Sequence, residues 1–194
     1  VTTLEDTPYT FTVADFGLTD VSDSPANALL EVQIVTLPLA GTLTLAAGSS
    51  TPGAVAAGQF ISAADVPFLT FTPAANANGS SYAGFTFQVR DTGGTTDGRV
   101  DFDATPNAIT IDVTSVNDAP DGTDKTVTTL EDTVYSFTAA DFGFTDPNDA
   151  PANTLLAVKI TTLPLAGTLS LAAGASVPGA VAAGQFISAA DLAF

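Results

Sequence analysis

The sequence contains a long internal repeat. Residues 1–7 read VTTLEDT and recur at 127–133, and residues 37–42 read LPLAGT and recur at 163–168. Both recur at an offset of 126, and a gapless overlay of residues 1–68 on 127–194 leaves 52 of 68 positions identical. Such similarity indicates the duplication of one structural unit, so the chain must build the same fold twice. No counterpart of residues 69–116 follows Phe194, so the second copy is truncated.

The charge of the chain limits its partners. It has 21 acidic and 4 basic residues in 194, a net charge of −17, and no His, Cys, Met or Trp. A strongly negative chain is repelled by nucleic acids and by anionic membranes. Without His and Cys, soft-metal sites and most nucleophile–base pairs cannot be built. No apolar run approaches the ~18 residues of a membrane span, so no membrane insertion is expected. Because the chain lacks an initiator Met, we expect a mature or internal piece of a longer chain.

The hydrophobic pattern predicts an all-β chain. Apolar and polar residues alternate in short segments, with Gly, Pro, Asn and Asp between them, and nothing sustains a helical period. The predicted strands of the first copy are 9–13, 28–35, 41–45, 59–62, 68–72, 82–89 and 108–116. About seven strands in such a length indicate an antiparallel β-sandwich. Residues 46–58, rich in Ala, Gly and Ser, are expected to form an irregular surface excursion.

The segment 114–120, TSVNDAP, separates the copies. Pro120 has no amide N–H to donate to a sheet, so the last strand of the first copy must end before it. The segment is therefore interpreted as a short, stiff hinge that carries an amide and a carboxylate, Asn117 and Asp118. It divides the chain into a first repeat, residues 1–118, and an incomplete second repeat, residues 119–194.

Several motifs resemble those of cadherins and of the cadherin-like repeats of giant bacterial surface adhesins. The motifs are VNDAP at 116–120, LED at 4–6 and 130–132, DPND at 146–149 with Asn153 after it, and FQVRD at 87–91. Their order matches that family, although a period of 126 is longer than typical and the hinge carries fewer acids. The resemblance implies tandem immunoglobulin- or cadherin-like antiparallel β-sandwich repeats.

The resemblance also implies calcium sites, because Ca²⁺ takes six to eight oxygen ligands from carboxylates, amides and carbonyls. It implies that six residues would share Ca²⁺ at the junction of the repeats: Glu5, Asn117, Asp118, Asp146, Asn148 and Asn153. Asp6 and Asp149 are further candidates. A weaker or different site would take Asp20, Asp23, Asn27 and Asp91 at the outer end of the first copy, where Ser22 replaces the counterpart of Asn148.

Other acids have plainer interpretations. Asp15 and Asp141 each follow a strand-like segment, and we expect them to cap backbone amides. Asp97, Asp101 and Asp103 lie in a long Gly- and Asp-rich loop; a further site is one interpretation of them, but we expect a solvated acidic loop. The Phe and Tyr residues recur at period two, so they are expected in the core. No pair of carboxylates has a concave site built around it, so no enzymatic activity is expected.

These patterns favour a non-catalytic, extracellular structural repeat of a large bacterial surface adhesin or fibre, stiffened by Ca²⁺. Its partners would be neighbouring repeats of the same chain. Identical chains in a fibre are a second kind of partner. One alternative is a self-assembling filament or surface-layer subunit that exchanges strands. Another is a carbohydrate-binding module, for which Tyr9, Tyr82 and Tyr135 are the available aromatic residues.

The truncation predicts that the second copy cannot cover its own core. A sandwich that lacks three strands exposes apolar residues and unpaired strand edges. We therefore expect that the molecule continues past Phe194, or that strands of a neighbouring chain complete the fold. Val158, Ile160, Phe186 and Ile187 are the residues whose exposure tests this expectation.

Overall fold

The computed structural model describes residues 1–20, 24–96 and 100–194, so Asp23 and Asp97 lie outside the described residues. The chain forms two compact units, Val1–Val116 (unit 1) and Asn117–Phe194 (unit 2). Strands and short 3₁₀ turns are the regular elements of the described ranges, which confirms the all-β prediction. None of these elements is a helix long and apolar enough to cross a membrane.

Unit 1 consists of two β-sheets. Its strands are β1 (Thr2–Leu4), β2 (Tyr9–Thr10), β3 (Leu29–Ile34), β4 (Thr42–Leu45), β5 (Gly53–Ala54), β6 (Phe60–Ser62), β7 (Leu69–Thr72), β8 (Gly79–Asp91) and β9 (Asn107–Thr114). One sheet has the order β1-β9-β8-β3-β6 and the other has the order β2-β7-β4-β5. Both sheets contribute alternate residues to a single apolar core, as the period-two pattern requires.

The core of unit 1 is built around the pairing of β3 with β8. Val32 lies opposite Val89 and Ile34 opposite Phe87 in an antiparallel register. Val32 and Ile34 are both 0% exposed. The Phe87 ring packs edge-on against Phe16 with 5.0 Å between centroids. The core predicted for the aromatic residues is therefore confirmed for Phe11, Phe16, Phe71, Phe85 and Phe87, whereas Phe60 is 47% exposed and the three Tyr residues are half-buried.

One pair of strands departs from the predicted antiparallel arrangement. β1 runs parallel to β9, with Thr3 opposite Val113. No strand was predicted at residues 2–4, because three residues with a single buried position, Thr3, carry almost no alternation. Parallel pairing joins strands that are distant in sequence, so local pattern contains no signal for it.

The strand predicted at residues 9–13 is shorter than expected. Residues 9–13 were predicted to be extended, but only Tyr9–Thr10 forms a strand and Val13–Phe16 forms a 3₁₀ turn. Asp15 accepts a hydrogen bond from the backbone N–H of Thr12 at 2.7 Å, so the predicted cap is confirmed. The capping bond ends the strand because it fixes the backbone in the turn.

Unit 2 contains less regular structure than unit 1. Its strands are β10 (Ala157–Lys159), β11 (Ser170–Leu171), β12 (Gly179–Ala180) and β13 (Phe186–Ser188). They form two two-stranded antiparallel sheets, β10-β13 and β11-β12. The buried core is correspondingly small and consists of Leu171, Ala175, Val181, Ile187 and Leu192.

The four residues whose exposure tests the truncation differ in how far they are buried. Ile187 is 5% exposed. Phe186 is 68% exposed, but its counterpart Phe60 is 47% exposed in the complete unit 1, so this position does not belong to the core. Val158 and Ile160 are half-buried, whereas their counterparts in β3 are fully buried. Val158 and Ile160 in and beside β10 are therefore less covered than the equivalent residues of β3.

Replacing Phe85 by Ala is expected to destabilise unit 1 strongly. Phe85 is 2% exposed, and its ring packs edge-on against Phe11 at 5.5 Å. Removing a buried Phe costs about 3–5 kcal/mol, because its contacts are lost and a cavity remains. The matched Phe60→Ala change should cost less than about 1 kcal/mol, since half of that side chain is exposed. Urea unfolding of both variants measures the difference, and equal losses would contradict this core assignment.

The two copies of the LPLAGT motif are expected to respond differently to Gly→Ala. Gly41 and Gly167 have φ of +70° and +79°, a conformation that costs Ala about 1–2 kcal/mol. A Cβ on Gly41 would also lie 2.5 Å from Phe71 Cζ and 2.7 Å from the carbonyl oxygen of Thr72, whereas one on Gly167 meets nothing within 4 Å. Gly41→Ala should therefore cost a further 1–3 kcal/mol or so. Chemical denaturation, monitored by amide exchange in each unit, measures the loss of unfolding free energy for both variants.

Candidate functional site

Glu5, the first residue of the predicted junction group, belongs to unit 1. Its side chain is 1% exposed. Its carboxylate accepts hydrogen bonds from the Val116 backbone N–H at 2.5 Å and from Asn78 Nδ2 at 3.0 Å. The parallel pairing of β1 with β9 positions it, since the Glu5 N–H also donates to the Thr114 carbonyl. Asn78 was not predicted as a partner because it lies in a polar loop with no distinctive motif.

The remaining members of the junction group lie in unit 2. Asp118 donates its backbone N–H to Asp149 Oδ1 at 2.7 Å. The Asn153 amide donates to Asn117 Oδ1 at 3.0 Å and also to Asp149 Oδ2. The structure therefore brings the hinge residues together with the loop that follows Thr145. We call Asn117, Asp118, Asp146, Asp149 and Asn153 the acidic cluster.

Asp146 is the most buried member of the acidic cluster, with 6% of its surface exposed. Its Oδ2 accepts a hydrogen bond from the Asn153 backbone N–H at 2.6 Å. Its Oδ1 is also buried, and no hydrogen-bond donor reaches it in the described part of the chain. A buried carboxylate oxygen without a donor is costly, because burial removes its water and nothing replaces it.

Two predicted candidates of this loop, Asn148 and Asp149, differ in their burial and contacts. Asn148 was predicted as a ligand, but it is only half-buried, and its side chain makes no hydrogen bond to the other cluster residues among the described contacts. Asp149, a secondary candidate, is 9% exposed and accepts from both the hinge and Asn153. Asp6 lies in unit 1, where it is exposed and accepts from the Asn76 backbone N–H at 3.1 Å.

Three members of the outer group of unit 1, Asp20, Asn27 and Asp91, are also brought together, and the fourth, Asp23, lies outside the described residues. Asp20 Oδ2 accepts from the Asn27 backbone N–H at 2.7 Å, which repeats the contact between Asp146 and Asn153. A Cβ on Gly93 would lie 2.7 Å from Asn27 Nδ2 and 3.0 Å from Asp91 Oδ1, so both side chains converge on this glycine. β8 delivers Asp91 to this position, because Asp91 pairs with Leu29 at the end of β3.

The acidic loop of unit 1 is less solvated than expected. Asp101 is 8% exposed, and its Oδ2 binds Arg90 Nε at 2.9 Å. Arg90 also reaches Glu31 Oε1 at 3.1 Å, so one cation pairs two carboxylates. The prediction was wrong for Asp101, because the loop folds back to pair Arg90 with Phe102. Asp103 is half-buried and caps Thr105 at 3.0 Å.

The chemistry of the acidic cluster suits a hard cation. Its side chains offer only carboxylate and amide oxygens, which are the ligands that Ca²⁺ and Mg²⁺ prefer. Within the described ranges, however, no three acidic side chains are arranged as a group that could hold a metal ion. The residues thus fit the kind of ion in donor type, although they are not arranged as such a group in the described ranges.

Comparison of the chain with protein-family models, with curated proteins and with solved structures found no match in any of the three. Its function must therefore be inferred from the arrangement of its own residues.

A separate ion pair anchors the turn of unit 2. Lys125 Nζ lies 2.5 Å from Asp141 Oδ1, and the Thr138 backbone N–H donates to Asp141 Oδ2 at 2.8 Å. These contacts, led by the lysine, hold the pKa of the Asp141 carboxyl well below its usual value of 3.8. The predicted capping role of Asp141 is confirmed, and Lys125 adds a charge to it.

Unit 2 is expected to lose stability in acid through Asp141. Because its pKa is lower in the folded chain, the carboxylate stabilises unit 2 fully above pH 3.8, and this contribution is lost as the pH falls further. Asp141→Asn should lower the unfolding midpoint of unit 2 at pH 7 and flatten its pH dependence below pH 4. Asp15→Asn is the matched control in unit 1, where the described residues include no salt bridge to Asp15. Thermal unfolding across pH tests this, and identical profiles for the Asp141 variant and the parent chain would contradict it.

Proposed function

We propose that this chain is a non-catalytic, extracellular structural segment of a large bacterial surface adhesin or fibre, built from tandem cadherin-like β-sandwich repeats. In this proposal Ca²⁺ stiffens the hinge by binding the acidic cluster. The chain would serve as a spacer and would leave recognition to other parts of the assembly. The repeat of 126 residues supports the array, and the sandwich of unit 1 supports the repeat type.

The observation that carries the proposal is the buried Oδ1 of Asp146. This oxygen is shielded from solvent and has no donor among the described residues, while Asp118 and Asp149 lie in the same cluster. A carboxylate buried in this way calls for a cation, because a cation provides the charge compensation that hydrogen-bond donors do not. Asn117 and Asp118 contribute from the hinge, so a bound ion would tie the hinge to the loop at Asp146.

The expected energies are adequate for this role. Two carboxylates ~4 Å apart repel by about 1 kcal/mol in water and ~4 kcal/mol at an effective dielectric of 20. A divalent cation between them adds attractions that outweigh this repulsion. An extracellular site with a Kd of ~0.1 mM, in ~1 mM Ca²⁺, would add about 1.4 kcal/mol of stability.

The tyrosines offer little to a carbohydrate ligand. Tyr9 and Tyr135 are half-buried, and their hydroxyls donate to Asp15 and Asp141, each at 3.1 Å. Tyr82 is also half-buried, and its hydroxyl accepts the Ala74 N–H at 3.2 Å. Sugar-binding platforms need exposed aromatic rings, so this arrangement favours a structural role over a carbohydrate-binding module.

A second candidate function is a self-assembling filament or surface-layer subunit that exchanges strands. The second edge of β10 favours it, because β10 pairs only with β13 among the described strands and an unpaired strand edge can pair with another chain. Length heterogeneity on electron micrographs, growing with protein concentration, would support this candidate. A uniformly monomeric chain at all concentrations would count against it.

Calcium is expected to stabilise unit 2 through Asp146. The experiment compares thermal unfolding of the chain in 2 mM Ca²⁺ and in excess chelator, with amide exchange to assign each transition. The proposal predicts a higher midpoint for unit 2 in Ca²⁺, and Asp146→Asn should abolish the increase, because the amide removes the charge that the ion requires.

Asp124→Asn is the control for that experiment. Asp124 is exposed, lies in unit 2 and loses the same charge on substitution, so it should retain the calcium response. An equal loss of response in both variants would indicate a general effect of net charge. The absence of any calcium response in the parent chain would contradict the proposal.

A further inference from the structure

The loop between β7 and β8 ends in an Asn-Gly pair, Asn78 followed by Gly79, the first residue of β8. A backbone amide nitrogen can attack the side-chain amide of the Asn that precedes it. A glycine permits this attack best, because it has no Cβ to obstruct the approach and its backbone reaches conformations closed to other residues. Of the seven Asn residues in the chain, Asn78 is the one that precedes Gly. Its amide is therefore the most reactive one that the sequence offers.

The fold of unit 1 leaves this pair accessible. Asn78 is half-buried, and residues 74–76 of the loop before it are exposed. Gly79 has a φ of +149°, and a Cβ built on it would meet nothing within 4 Å. The register of β8 with β9 is interrupted between Gly79 and Ala83, so β8 begins irregularly. Because such strand ends open more readily than strand interiors, water and the backbone motion needed for ring closure are both available here.

The side chain of Asn78 also supports a buried charge. Its Nδ2 donates a hydrogen bond at 3.0 Å to Oε2 of Glu5, which is 1% exposed. The other oxygen of Glu5 accepts the Val116 backbone N–H at 2.5 Å. The amide of Asn78 is therefore one of the donors that compensate a buried carboxylate. Through Glu5 it connects the loop before β8 to the residues that follow β1 and β9.

We propose that Asn78 is a site of spontaneous deamidation, and that its conversion loosens Glu5 and the β1–β9 pair of unit 1. The reaction takes place within the chain and uses water as its co-reactant. The inference goes beyond the proposed function and does not rest on it, because neither the reactive pair nor its contact with Glu5 involves a bound ion.

The reaction proceeds in two balanced steps. The amide nitrogen of Gly79 gives up its proton and forms a bond to Cγ of Asn78. The bond from Cγ to Nδ2 breaks, and the nitrogen leaves as ammonia with that proton, so a five-membered imide remains. Water then adds to one of the two imide carbonyls. Opening at one carbonyl gives Asp, and opening at the other gives isoaspartate, in which the main chain gains one methylene group.

Both products replace a donor by an acceptor beside the Glu5 carboxylate. A carboxylate at position 78 cannot donate to Glu5, and the two groups repel each other at hydrogen-bond distance. Isoaspartate also displaces the chain at Gly79, where β8 begins to pair with Val113 of β9. Removing a donor from a buried charged group is costly, so we expect the equilibrium constant for folding of unit 1 to fall by about tenfold to a hundredfold.

The first experiment tests the reaction in the whole chain, in mildly alkaline buffer with chelator, where loss of the Gly79 amide proton is favoured. Peptide mapping by mass spectrometry measures conversion at each of the seven Asn residues, and chromatography separates Asp from isoaspartate. We expect Asn78 to convert at least about tenfold faster than the other six, because they precede residues with a Cβ. Asn78→Gln should block the reaction, since its longer side chain would need a six-membered ring.

Two results of this experiment would overturn the inference. One is conversion of Asn78 at the same rate as the other Asn residues. The other is conversion of Asn78 in urea but not in the folded chain, since the fold would then protect the pair.

The second experiment tests the consequence for unit 1. Asn78→Asp reproduces one product, and it should lower the urea midpoint of unit 1 and the exchange protection of the β1 and β9 amides. Asn78→Ala removes the donor without adding a charge, so it should cost less. Asn76→Asp is the matched control, because Asn76 is an exposed residue of the same loop and gains the same charge. Equal midpoints for Asn78→Asp and Asn76→Asp would overturn the inference.

A rescue variant tests the contact itself. Adding Glu5→Gln to Asn78→Asp reverses donor and acceptor, because the Gln amide can donate to the new carboxylate while its oxygen still accepts the Val116 N–H. The double variant should recover most of the midpoint lost in Asn78→Asp, even if that single variant is largely unfolded. A double variant no more stable than Asn78→Asp would show that the loss does not arise at Glu5, and would overturn the inference.

Discussion

The apolar face of β3 is the constraint on which unit 1 depends. Val32 and Ile34 project into the core, and β8 must pair alongside β3 to bring Phe87 and Val89 over it. β8 is long because its thirteen residues pair with β3 along one edge and with β9 along the other. Where the cover is absent, as in unit 2, the same residues form short strands and a small core.

Most buried carboxylates are stabilised by N–H and O–H hydrogen-bond donors rather than by basic side chains. The chain has only 4 basic residues for 21 acids, so most buried carboxylates must find N–H and O–H groups. Asp65 and Asp191 illustrate this, since both accept from serines at equivalent positions, and these bonds lower the pKa of both carboxyls. Asp146 stands out because one of its oxygens lacks such a donor among the described contacts.

Much of the fold was predictable because its strands carry strong local patterns. The strand predicted at 82–89 lies within β8, and that at 28–35 contains β3. The failures occurred where tertiary contacts decide local structure. The β1–β9 pair is parallel and joins the two ends of unit 1. Asp101 was expected in solvent, yet it is buried against Arg90 because a loop folds back on its own strand.

The sequence predicted which types of residue form the candidate site, but only some of the particular residues. The hinge motif and the Asp-rich loop pointed to Asn117, Asp118, Asp146 and Asn153, which the structure brings together in unit 2. Asp149 rather than Asn148 makes the side-chain contacts described within this cluster, because the direction of a side chain in a loop depends on how the loop folds rather than on residue type. Asn78 is another case, since only the fold brings it to Glu5.

By itself the sequence determined the all-β class, the repeat of 126 residues, the acidic surface and the oxygen-donor chemistry of the cluster. These properties depend on composition and on periodicity along the chain, which are local. Only the tertiary structure decided which strands are neighbours and which acids are buried. Those properties depend on contacts between residues far apart in sequence, and local pattern does not encode the pairing of distant segments.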